Sequence, residues 1–338
     1  DRILAAIIAG YELMTRLGEA IDPARQYAYG FHPTATCGVF GAACAAGLLL
    51  GADPPSLRRA LGLAGTGASG TLSYLNDGAP TKPIQVGNAV AYGVMAALLN
   101  AGGVPGPSTV FGGRYGFYQT YARGGDADRL VAGLGSDPLG LAQTGIKSLA
   151  CCGYIQPDVA LALELARRER VAPSDIQAIR AGVVSTAVPI VGEPRALKMR
   201  PQTVVDVQFS LPYCMAAALT YGQLMPADVV RSLSDEQLTG LAGRVTLTAD
   251  PALDDRYPAH WGGWVELALR DGRRLFAETI DCKGHPGNLL SDEQLRAKLA
   301  SLTSPAMASA ILEVAADFPD QTAAELFGRL GRKALAPA

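Results

Sequence analysis

Histidine is scarce in this chain: three among 338 residues, His32, His260 and His285, with no spacing that suits a metal ion. Cysteine occurs six times without one Cys-x-x-Cys. Cys37, Cys44, Cys151, Cys152, Cys214 and Cys282 mostly sit among apolar or small residues, where cysteine behaves as a small hydrophobe. A chain this long does not need disulfide staples, so the pattern points to a reducing, cytoplasmic setting and no structural metal. Charge is scarce too, at 18% of residues against an ordinary share of about 25%. The 29 basic and 31 acidic residues leave a net charge of −2, and no run of five basic residues occurs. The densest basic group, Arg167, Arg168 and Arg170, lies among acids on an expected helix. Nucleic acid is excluded as a partner on that ground.

Long hydrophobic runs are missing as well. The longest nearly apolar stretch, residues 37–52, falls short of the roughly 20 residues that a membrane span requires. The opening residues superficially resemble a basic segment followed by a signal-peptide core. Tyr11, Leu13, Met14 and Leu17, however, continue a helical stripe with Glu12, Arg16 and Glu19 between them. The chain is expected to begin inside a helix, as a fragment would.

What is present is core material. Hydrophobic residues make up 49% of the chain and mean hydropathy is +0.17, enough for about two domains at roughly 150 residues each. Helical periodicity dominates residues 1–150, with helices expected over 2–20, 38–51, from 54 onward, and 86–100. Beyond them the pattern changes. A helix over 157–170 precedes a strand over 176–186, and a helix containing a proline spans 204–222. Strands follow over 244–248, 264–270 and 274–280, with Asp271-Gly272 as a hairpin turn. Ser291, with Gln294 three residues on, opens a return to helices. The expected architecture is mostly α with an α+β lid: a helical domain over 1–150, the lid over 151–282, and a tail over 283–338 that returns to the helical domain.

Gly65-Thr-Gly67-Ala-Ser-Gly70 fits the dinucleotide-binding glycine spacing literally. That fingerprint must follow a strand and meet an acid about 20 residues later. Here a helical pattern precedes it and residue 90 is Val, so the glycines are expected to let helices approach closely.

Three polar stretches interrupt the apolar background. Gly30-Phe31-His32-Pro33-Thr34-Ala35-Thr36-Cys37-Gly38 leads into a helix of small residues, where hydroxyls and backbone N–H groups suit an anion and His32 suits proton exchange. A histidine there could equally cap the helix. Thr81-Lys82-Pro83-Ile84-Gln85-Val86-Gly87-Asn88-Ala89 reads as a loop entering a second Ala/Gly-rich helix. Its lysine is the single basic residue between Arg59 and Arg114, a placement that suits a carboxylate. The third stretch, residues 209–215, carries Tyr213, which taken alone is a core aromatic with a polar tip.

Taken in order, these stretches resemble the MmgE/PrpD superfamily: GFHPTATCGVFGAACAA at 30–46, ALGLAGTGASG at 60–70, TKPIQVGNAV at 81–90, FSLPYCMAAAL at 209–219 and KGHPGNLLSDEQLRAKL at 283–299. The resemblance implies an all-helical domain built from both chain ends plus a smaller α+β lid. It implies a homodimeric enzyme without metal or organic cofactor, acting on a small di- or tricarboxylate. Members include 2-methylcitrate dehydratases, cis-aconitate decarboxylases and iminodisuccinate epimerases. By that resemblance His32, Lys82 and Tyr213 are the catalytic residues, and Thr34, Thr36 and Lys147 bind substrate. Where such decarboxylases carry a histidine shortly after the lid-border lysine, this chain has Cys152, and it is expected to lack the family's N-terminal stretch. The expected activity is therefore proton transfer at a carbon next to a carboxylate, as in a dehydratase. The alternatives are a decarboxylase and a non-catalytic helical assembly protein.

Overall fold

The computed structural model describes residues 2–21, 23–136 and 139–316, together with 322, 324, 325, 328 and 329. The chain divides into two compact units, Asp1–Thr144 and Gly145–Ala338. The first is helical, and the second combines helices with a four-stranded sheet, so the chain is mostly α with an α+β portion.

Four helices carry the first unit: Arg2–Ala20, Pro33–Leu49, Pro54–Ala64 and Lys82–Ala101. The second and fourth begin earlier than their apolar patterns suggest. Pro33 and Pro83 lie in their first turns, where the missing N–H has no intrahelical acceptor to lose. Between these helices the backbones nearly touch. A Cβ added to Gly93 would lie 2.6 Å from both the Ala42 Cβ and the Val39 carbonyl oxygen. Gly93→Ala should therefore force the helices apart and cost about 1–3 kcal/mol, read as a lower thermal unfolding midpoint. Gly18→Ala is the control: its Cβ would meet nothing within 4 Å, and the midpoint should hold or rise.

The Lys82–Ala101 helix is the one described helix long and apolar enough to cross a membrane by length and composition. Its inner stripe, Ala89, Gly93, Ala96, Ala97 and Asn100, is buried within the unit, whereas Ile84, Val90, Val94 and Leu98 are exposed. The glycine motif takes no nucleotide-binding form. It follows the Pro54–Ala64 helix rather than a strand, and Gly65–Gly67 make one 3-10 turn.

In the second unit, β1 (Ile176–Val183), β2 (Val245–Ala249), β3 (Gly263–Leu269) and β4 (Arg274–Thr279) form one sheet in the order β2-β1-β3-β4. β1 pairs parallel with β2 and antiparallel with β3, so Ile179 stands between Val245 and Leu267. Alternation along β3 turns Val265, Leu267 and Leu269 inward, and the Gln156–Arg168 and Leu211–Tyr221 helices contribute to the same core. The expected strand over 176–186 stops at Val183, because the Asp254 carboxylate takes the Ser185 N–H at 2.7 Å and turns the chain. The single helix expected over 204–222 is two, Val204–Gln208 and Leu211–Tyr221. Ser210 caps the second by accepting the Tyr213 N–H, and Pro212 occupies its first turn. After β4, Ser291 and Gln294 form the expected capping box on the Asp292–Leu302 helix. The Pro305–Ala316 helix follows, and the rest of the expected tail lies almost wholly outside the described residues.

Candidate active site

His32 stands at the N-cap of the Pro33–Leu49 helix, but its ring does not cap it. The ring is buried, and its Nδ1 lies 3.0 Å from the Gln85 side-chain oxygen. Gln85 belongs to the first turn of the Lys82–Ala101 helix, and its Nε2 donates to the Thr71 carbonyl at 2.8 Å. A short backbone ladder holds these groups. The His32 N–H donates to Gly70 O, the Leu72 N–H donates to Gly30 O, and Phe31 bridges Thr71. The starts of two long helices are thereby pinned to each other through one histidine and one glutamine.

Positive charge gathers at this junction. Neither helix carries an acid in its first turn, and neither start is capped by a side chain. Helix N-termini bear partial positive charge, and Lys82, half-buried, adds a full one at the first position of its helix. Burial pushes the His32 ring below the ordinary imidazole range. The hydrogen bond to Gln85 pulls it back up, and the Lys82 ammonium pushes it down again. Near neutral pH the ring is therefore a neutral base beside a cation and two helix N-termini. That combination can hold a carboxylate and take a proton from the carbon next to it.

The other expected residues part company. Thr34 is exposed on the first turn of the Pro33–Leu49 helix. Thr36 is fully buried, and its hydroxyl donates to the Gln26 side-chain oxygen at 3.1 Å, which commits it to holding the Gln26 segment. Tyr213 lies in the core of the second unit, where its hydroxyl donates to the Ser232 carbonyl at 2.6 Å. Burial, with Asp235 nearby, raises that phenol. A group so placed ties two segments together. Lys147 is exposed. Its ammonium donates to Cys151 O at 3.2 Å, and its own carbonyl accepts from the Lys298 Nζ at 2.6 Å.

Two features escaped the sequence. Gln85 passed as part of a loop, although its spacing three residues after Lys82 puts both on one turn of a helix. Lys198, buried in the second unit, donates to Ile190 O at 2.7 Å and is pushed below the ordinary lysine range by its burial. The cysteines are free thiols, with Cys37 pushed up to about 12 and Cys282 to about 11 by burial. Among the described residues no group of three His, Cys, Asp or Glu is placed to hold a metal ion. Cavities of about 560 and 390 Å3 are lined by neither His32 nor Lys82.

Comparison with known proteins follows the same division. Residues 1–130 match the MmgE/PrpD N-terminal domain and residues 149–318 the MmgE/PrpD C-terminal domain. A cis-aconitate decarboxylase of Aspergillus terreus is 30% identical over 294 residues, covering 83% of this chain and 59% of that protein. A cis-aconitate decarboxylase-like protein of Aspergillus oryzae is 27% identical, covering 92% and 66%. The cis-aconitate decarboxylase of Mus musculus is 25% identical, covering 89% and 61%. The chain thus spans about three fifths of the length of the curated relatives it matches.

Proposed function

The chain belongs to the MmgE/PrpD family, and from that premise we propose that it is a lyase of small di- or tricarboxylates, working without metal or organic cofactor in the manner of a 2-methylcitrate dehydratase. One observation carries this reading: a buried, neutral imidazole at a junction of two helix N-termini and a lysine, with no acid in either first turn. Removing a proton from a carbon next to a carboxylate drives charge onto a group already negative. Fixed positive partial charges aimed at that group are the usual dominant source of rate. His32 takes the proton, and Lys82 and the helix starts hold the carboxylate, with Thr34 in reach of the same turn. The C–H and C–O bonds break, the double bond forms, and the hydroxyl leaves as water with the proton that His32 took, which returns the ring to its neutral form.

Decarboxylation of an unsaturated tricarboxylate is the second reading, favoured by the names of the relatives. It begins by adding a proton to carbon, which asks for an acid, whereas His32 at neutral pH offers a base. Cytoplasmic location and a homodimer belong to the same proposal; the exposed Ile84, Val90, Val94 and Leu98 support the latter. The test supplies hydroxy-tricarboxylates and cis-aconitate in parallel and follows alkene formation and carbon dioxide release. Alkene from the hydroxy acid with no carbon dioxide is the expected result. Carbon dioxide from cis-aconitate alone would replace the first reading with the second.

A further inference from the structure

We propose that Gln85 is a positioning residue that fixes which ring nitrogen of His32 carries the proton, an inference that rests on His32 acting as the base. A glutamine amide has one donating and one accepting end. The Nε2 of Gln85 lies 2.8 Å from the carbonyl oxygen of Thr71, a group that only accepts. Turning the amide over would set two carbonyl oxygens against each other, so the network assigns the orientation. The Gln85 oxygen then faces Nδ1 of His32 at 3.0 Å, and because that oxygen only accepts, Nδ1 of the neutral ring must donate. The lone pair is left on Nε2, the nitrogen that Gln85 does not engage.

The anchor itself is held. Thr71 is bridged to Phe31, and the His32 N–H donates to Gly70 O at 3.1 Å. The ladder that places the histidine backbone also places the carbonyl that orients the amide, so ring, amide and ladder close one loop. Gly70 gives the amide its room. Its φ is +124°, and an added Cβ would lie 2.9 Å from the Ala35 Cβ and 3.0 Å from the Gln85 oxygen. The third glycine of the nucleotide-like motif thus has a role that owes nothing to phosphate: no other residue leaves the amide in place.

Three histidines make the test direct. Nitrogen-15 imidazole spectra of the full chain, assigned with His260→Gln and His285→Gln, report each tautomer without any substrate. Above its titration His32 should show a protonated Nδ1 and a bare Nε2. Gln85→Leu should shift the ring toward the Nε2–H form that a free histidine side chain prefers. Gln85→Glu should keep Nδ1–H and raise the titration midpoint, because a carboxylate favours the imidazolium. In turnover, Gln85→Leu should lower kcat roughly 10–100-fold, the scale for losing a group that orients a working imidazole, and Gln85→Glu should move the acid limb upward. An Nε2–H form in the unsubstituted protein overturns the proposal, and that spectrum decides even where a variant does not fold. An unchanged tautomer in Gln85→Leu overturns it too. Should His32→Gln leave turnover intact, the base assignment fails while the spectra still settle what Gln85 does.

Discussion

His32→Gln should lower turnover of a polycarboxylate by about 10²–10⁴-fold, the range for losing a positioned acid or base, while substrate binding persists. Glutamine keeps a polar group at a buried position but has no lone pair of imidazole basicity to accept the proton. The pH profile gives the same prediction a second reading. Burial first, and then the Lys82 charge, hold the ring below the ordinary imidazole range against the opposing pull of Gln85. The base form therefore survives into mildly acid solution, and the acid limb of kcat/KM should fall below the value expected of an exposed histidine. If turnover and its acid limb are untouched in the variant while thermal stability drops, His32 is a structural residue and the base assignment fails.

Lys82→Met should weaken polycarboxylate binding about 10–100-fold, the equivalent of losing one charge-assisted hydrogen bond of roughly 1.5–3 kcal/mol. The same substitution should shift the acid limb in a defined direction. Taking away the ammonium removes one of the forces that disfavour the imidazolium, so the His32 titration moves up. Weaker binding and an acid limb displaced upward form a signature that no purely structural lysine gives. Calorimetric titration with citrate and a pH-rate series on one preparation measure both.

Much of this was legible in advance, and the misplacements share a cause. Periodicity located the Arg2–Ala20 helix to the residue and the Gln156–Arg168 helix to within two at its end. The hairpin at Asp271-Gly272 and the Ser291 capping box carried their own chemistry. What went astray were helix starts at prolines. Pro33, Pro83 and Pro212 each read as the edge or interruption of a helix, and each lies in a first turn instead. The shift matters most at Lys82, which moves from a turn to the positive end of a 20-residue helix and brings Gln85 onto the same turn. The depth of a side chain was beyond sequence reach. Thr36 and Tyr213 sit in motifs that suit a ligand, and the structure spends their hydroxyls on Gln26 and on the Ser232 carbonyl. No local pattern distinguishes a hydroxyl aimed outward from one aimed at a carbonyl far along the chain.

The central place of β1 has a consequence for how the second unit is made. On the ribosome Ile176–Val183 emerges long before Val245–Ala249 and Gly263–Leu269, the two strands that flank it. Until they arrive, Ile176, Ile179 and Val183 belong to a strand with two open edges, the kind of segment that pairs with a neighbouring nascent chain. Synthesis rate and chaperone supply should therefore govern the yield of this unit more than its final stability does. Ribosome-bound chains halted between β1 and β2 should be the ones that aggregate.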